Sequence, residues 1–151
     1  LGRLRLMEAL RKPASADGKL DAKQTQSAMS PLNIARTKPP KMPEVYSLIA
    51  EVWSNSAEPM RREDLLVVVE GVQAFPRSAP LVLQAALLAA ARGFTDDARS
   101  LANHGLKITA EGAQRDQFNM LASALARDAA PAAPETPAEP TKQSLPPVFQ
   151  K

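Results

Sequence analysis

Few side chains in this sequence are equipped for chemistry, and their types and spacing limit what it can do. His104 is the one imidazole among 151 residues, which makes it the natural candidate for general acid–base work. That work needs a partner to orient the ring, and no acid or Ser stands at a spacing that forms a triad with it. His104 therefore reads as a structural histidine in mid-helix. Asp96 and Asp97 are adjacent carboxylates of the type that enter metal sites. Placed after Thr95, they are better explained as a helix start, with Thr95 as cap and the acids at the positive end of the dipole. The chain has no Cys, which excludes a disulfide scaffold, a thiolate metal site and a Cys nucleophile. A single His also excludes a multi-histidine zinc site and the HExxH metalloprotease helix within these residues. The six glycines are scattered and form no phosphate loop. Arg3 with Arg5, and Arg61 with Arg62, suit acidic partners or a solvated face equally well. No catalytic residue, metal ligand or cofactor is expected.

Composition points the same way. Aromatics make up 4% of the chain, too few for stacking platforms that grip single-stranded nucleic acid. The hydrophobic fraction of 44% owes much to Ala, the best helix former. An all-α protein is the expectation. The formal charge of +3 is unevenly spread: residues 1–42 hold 9 Lys and Arg against 3 Asp and Glu, residues 43–128 hold 8 against 11, and residues 129–151 hold 2 against 2. A basic arm thus precedes a mildly acidic helical body. Such an arm is first a solvated linker; binding of nucleic acid or of an anionic membrane surface is the lesser expectation.

The chain opens at Leu1 without an initiator Met, and no apolar run is long enough for a signal or membrane segment. A fragment of a larger protein is expected. Residues 1–12 (LGRLRLMEALRK) place Leu4, Met7 and Leu10 on one helical face before Pro13, as if a helix of a preceding domain ended there. An Arg-rich amphipathic helix on a membrane surface, or a targeting sequence, is the alternative. Residues 13–42 mix Ser, Lys, Gln and Pro and read as a connector with a short helix around Leu20–Ala28. Residues 129–151 hold six of the fourteen prolines and are expected to be disordered or polyproline-like. Their one apolar patch is Leu145–Phe149.

Helical periodicity is clear over residues 43–128, where five helices are expected: from Pro43 through PEVYSLIAEVWSNS, Arg61–Phe75, Ala79–Arg92, Asp96–Ile108 and Ala113–Arg127. Their short connections fit antiparallel neighbours. Leu65–Val72 (LLVVVEGV) is β-branched and taken alone suggests a buried strand. Helix is the better reading, since a lone strand has no partner for its backbone hydrogen bonds.

Spacing within this region is the most informative signal. Tyr46, Ile49, Ala50 and Trp53 stand at i, i+3, i+4 and i+7. Val82, Ala85, Ala86 and Ala89 repeat the pattern 36 residues later, and Phe118, Leu121, Ala122 and Leu125 repeat it after 36 more. In the intervening helices Glu70-Gly71-Val72 corresponds to His104-Gly105-Leu106 at a separation of 34. A large–small–large stripe at such a period suits stacked helix hairpins, where the small residue admits the next helix. These residues resemble the tetratricopeptide repeat. Repeat one spans residues 43–76 and ends on Pro76; repeat two spans 79–110, with Ala86 at the small position, Gly93 at the turn and Ala98 opening the second helix. Residues 113–127 look like a capping helix. Val82 in place of an aromatic and Asp64 in place of a small residue depart from the pattern, and an irregular five-helix bundle is the alternative. The resemblance implies a short right-handed α-solenoid. A second resemblance, carried by MPEVYSLIAEVW and EGVQAFPRSAPLVLQAALLAAARGF, is to the C-terminal helical region of bacterial peptidase-MA-like proteins. It implies an envelope or secreted setting, with any zinc peptidase chemistry upstream of Leu1.

For a repeat of this family, function is recognition by the inner face of the first helices. The resemblance places there Ser47, Glu51, Ser54 and Asn55, then Leu83, Leu87, Ala90 and Ala91, then Asn119, Ser123 and Arg127. The third of the five helices is apolar all round and must be covered on both sides, either by the chain's own N-terminal segment or by an apolar peptide or helix of a partner. The expected function is a non-catalytic protein–protein interaction or scaffold module with a protein or peptide partner. An accessory region of a peptidase-like enzyme is the alternative, and nucleic-acid or membrane-surface binding through the basic arm is a third.

Overall fold

A computed structural model describes residues 2–12 and 17–129 of the chain. The described residues form helices only: α1 (Gly2–Arg11), α2 (Ala22–Thr37), α3 (Pro43–Asn55), α4 (Arg62–Ala74), α5 (Ala79–Ala91), α6 (Thr95–Ile108) and α7 (Ala113–Ala129). The expectations for residues 130–151, including Leu145–Phe149, lie outside the described residues.

The five helices expected over residues 43–128 are α3 to α7, with ends shifted by one or two residues. Leu65–Val72 lies wholly within α4, where Leu65, Val68 and Val72 form a buried stripe of helical period. The helix starts cleanly because the Asp64 carboxylate reaches back to accept the Arg61 N–H at 3.0 Å. Asp64, out of place as a small repeat residue, thus serves the end of the helix. One expected cap is corrected: Phe94 occupies the capping position of α6 and Thr95 is its first residue. Asp96 and Asp97 do lie in the first turn, paired with Arg99 and Arg62, each at 3.2 Å.

The N-terminal region departs further from expectation. α1 buries Leu6, 1% exposed, and leaves Leu4 and Met7 at 69% and 49%. Its inner face therefore runs through Gly2, Leu6, Ala9 and Leu10 rather than Leu4, Met7 and Leu10. Gly2 suits this register: it packs against the Leu32 side chain, where α1 approaches α2 closely, and Leu6 one turn later is buried in the core. Burying a leucine contributes about 1.5–3 kcal/mol. α2 is also longer than the short helix expected around Leu20–Ala28. It opens on a capping box, Asp21 accepting the Gln24 N–H at 2.7 Å while Gln24 accepts the Asp21 N–H at 3.3 Å, and it continues through Pro31. Proline cannot donate to the carbonyl four residues back. The Arg5 guanidinium replaces that bond, donating to the Ser27 carbonyl at 3.3 Å.

Packing follows a regular order. α1 packs on α3, α3 on α5, and α5 on α7; α2 contacts α1 and α3, α4 contacts α3 and α5, and α6 contacts α5 and α7. The stripe residues Tyr46, Ile49, Ala50, Trp53, Val82, Ala85, Ala86, Ala89, Phe118 and Leu125 are buried at these contacts, as is Ala98. Leu121 and Ala122 are half-buried. Gly93, at φ +81° in the α5–α6 turn, takes a conformation that favours glycine.

Candidate interaction surface

The residues expected on a recognition face divide between two clefts and an open helix. Ser47 and Glu51 lie in a cleft of about 470 Å³ between α1 and α3, walled by Arg3 and Met7 on one side and by Glu44 and Leu48 on the other. Ser54, Leu87 and Ala91 line a second cleft of about 260 Å³ with Lys19 and Arg92. Asn119, Ser123 and Arg127 are exposed on α7 and line neither cleft. Leu83 is 9% exposed, whereas Leu87 is 50% exposed, so only the second is available to a partner. Ala90 is half-buried. Asn55 donates to the Glu51 carbonyl at 2.8 Å and Ser54 to the Ala50 carbonyl at 2.9 Å, so both side chains turn back onto their own helix.

Backbone groups at the end of α3 hold the second cleft in shape. A helix terminus leaves carbonyls without intrahelical partners. Arg92, at the end of α5, donates to the carbonyls of Trp53, Ser56 (2.8 Å) and Glu58 (3.0 Å). Leu20 donates to the Asn55 carbonyl at 2.8 Å and accepts from Ala57 at 2.9 Å, and Thr25 Oγ1 meets Ser56 Oγ at 2.9 Å in the interior. A second arginine closes the end of α6: Arg115 of α7 donates to the carbonyls of Leu106 and Thr109 at 3.0 and 2.8 Å.

Electrostatics fix α2 and its exit loop to α4. Glu70 accepts from Arg36 at 2.6 Å, Lys41 at 2.9 Å and the Tyr46 hydroxyl at 3.0 Å. The hydrogen bond from Lys41 holds the Glu70 carboxyl below its ordinary range against the opposing effect of burial. Its bond to Glu70 raises the Lys41 ammonium, and burial followed by the bond to Glu70 raises the Tyr46 phenol. Glu70 has a single position where three donors from α2, the connecting loop and α3 converge. That convergence depends on tertiary structure and has no signal in spacing.

His104 Nε2 lies 2.8 Å from the Pro76 carbonyl. A carbonyl only accepts, so Nε2 donates and the ring holds the α4–α5 turn. Among the described residues no group of three or more His, Asp or Glu side chains is placed to hold a metal ion, and no helix is long and apolar enough to cross a membrane.

The contribution of α1 has no signal in the sequence: residues 1–12 read as the end of a preceding domain, whereas Arg3 and Met7 wall the first cleft. Nor does the sequence signal Arg92 and Lys19 beside Leu87. Comparison with protein-family models, with curated proteins and with solved structures finds no match to this chain.

Proposed function

We propose that the chain is a non-catalytic, tetratricopeptide-like module that binds a peptide or protein segment along the odd-numbered helices. The observation that carries this reading is the pair of successive clefts, between α1 and α3 and beside Ser54 and Leu87, in which Glu51 of α3 and Leu87 of α5, at corresponding positions of the stripe, each line open space. The packing order supports it, since each odd helix meets the next and each even helix wedges between two odd ones. Ion pairs link successive even helices as well, Arg36 to Glu70 and Arg62 to Asp97. The mixed lining, with Met7, Leu48 and Leu87 beside Arg3, Glu51 and Lys19, suits a peptide that combines apolar and charged side chains. On this reading α1 and α2 form a further hairpin of the stack, and the N-terminal segment extends the face rather than filling it.

Selection from a displayed random-peptide library on the full chain tests the proposal. Enriched peptides should lose binding to Glu51→Arg and to Leu87→Asp while both variants melt like the parent. Peptides that bind the two variants as well as the parent, or no enrichment, would overturn it.

A further inference from the structure

A separate cleft lies between α1 and α2, away from the face just described. Its volume is about 310 Å³, the lower end of the range for small-molecule sites. Three cations line it, Arg5, Lys12 and Lys23, against one carboxylate, Glu8. Neither lysine forms an ion pair among the described residues. Ala9 also lines the cleft, and the lysine stems add apolar surface beside it.

The fold anchors Arg5 and the backbone that carries the two lysines. Pro31 leaves the Ser27 carbonyl without its helical donor, and Arg5 fills the vacancy. A guanidinium has five N–H donors, so this bond anchors Arg5, a lining residue of the cleft, and four donors remain. At the opposite end, Gln24 Nε2 donates to the Lys12 carbonyl at 2.9 Å, which ties the end of α1 to the first turn of α2 and sets Lys12 near Lys23. The Gln24 amide is already taken by Asp21, so the side-chain cations, and not the helix end, carry the positive field. Three cations against a single carboxylate leave a net positive field in the cleft, which an anion relieves.

We infer that this α1–α2 cleft binds a phosphomonoester carried by a small organic molecule, with Arg5, Lys12 and Lys23 on the phosphate and Ala9 under the organic group. Arginine and lysine donors to phosphate form short, charge-assisted hydrogen bonds. Glu8 opposes the ligand and limits its affinity.

Calorimetric titration of the full chain at low ionic strength tests this, with phenyl phosphate and inorganic phosphate as probes. Phenyl phosphate should bind saturably and more tightly than inorganic phosphate. Lys12→Gln and Lys23→Gln should each weaken it about tenfold, the loss of one charge-assisted contact. Glu8→Gln should tighten it severalfold, and Arg11→Gln, an exposed site outside the cleft, should leave it unchanged. All four positions are exposed, and unchanged melting curves would show that folding is intact. Absence of saturable binding would overturn the inference, as would an equal loss in Arg11→Gln, which marks a diffuse basic surface. Binding confined to phosphatidic acid vesicles, or to single-stranded DNA with a steep salt dependence, would overturn it in favour of a membrane or nucleic-acid surface.

Discussion

Gly105 of α6 lies directly beneath the ring of Phe118 in α7, so closely that a Cβ at position 105 would overlap the ring edge. Gly71 of α4 stands in the same relation to the ring of Tyr46 in α3. Both aromatic rings are fully buried and cannot withdraw without opening the core. Alanine gains about 1 kcal/mol of helix propensity over glycine, whereas overpacking a filled core costs about 1–3 kcal/mol and more when the obstacle is rigid. Gly105→Ala and Gly71→Ala should therefore both lower the midpoint of a denaturant titration. A midpoint equal to or above the parent's would show that the helices can part at no cost.

The end of α3 supplies a second test. Arg92 satisfies carbonyls of Trp53, Ser56 and Glu58 from a half-buried position. Hydrogen bonds to a charged group contribute about 1.5–3 kcal/mol where their loss leaves a group unsatisfied. Water reaches part of this site, so Arg92→Ala should cost about 2 kcal/mol in all. Arg92→Lys keeps the charge at the negative helix end but cannot span three acceptors with one ammonium. It should recover less than half of that loss in thermal melts; full recovery would reduce the role of Arg92 to charge alone.

These positions show where the sequence was legible and where it was not. The stripes at Tyr46, Val82 and Phe118 were readable because burial on one helix face imposes a local period, and the structure buries all three. Glycines 71 and 105 stood out by their matched spacing, but the rings that cover them belong to other helices, α3 and α7. The α1 face was misread because Leu4, Met7 and Leu10 form as good a stripe as Leu6, Ala9 and Leu10. The docking of α1 on α2 and α3, with Gly2 close against Leu32, decides between them. The prolines of residues 13–42 favour a connector over a long helix, and nothing local reveals that Arg5 replaces the donor missing at Pro31. The cleft between α1 and α3 was invisible for the same reason, since it exists only once α1 is docked.

Acid and alkali should both weaken the attachment of α2 to α4. Glu70 has its carboxyl lowered on folding, so its contribution is present above the unfolded carboxylate range and disappears as pH falls through the folded value. Lys41 and Tyr46 are raised. Their contribution is present below the ordinary lysine and tyrosine values of 10.5 and 10.0 and is lost as pH rises through the folded values. Glu70→Gln should flatten both limbs of a stability-against-pH curve relative to the parent while lowering stability at neutral pH. A curve that merely shifts down, with both slopes kept, would place the pH dependence elsewhere.

Leu83 and Leu87 are about one helical turn apart on α5, and the repeat resemblance implies a shared recognition face, yet their surroundings differ. Leu83 is 9% exposed and belongs to the core cluster; Leu87 is 50% exposed and opens onto the cleft with Ser54 and Ala91. A charge introduced at a buried, unpaired position costs about 3–5 kcal/mol, a large share of the stability of a small domain. Leu83→Asp should therefore unfold the chain or lower its melting temperature sharply. Leu87→Asp keeps its carboxylate in water and should melt within a few degrees of the parent, while the exposed apolar surface of the second cleft disappears. Peptides selected on the parent should then fail to bind Leu87→Asp although its helical circular dichroism is intact. Equal destabilisation by the two substitutions would place Leu87 in the hairpin core and close the second cleft to any partner.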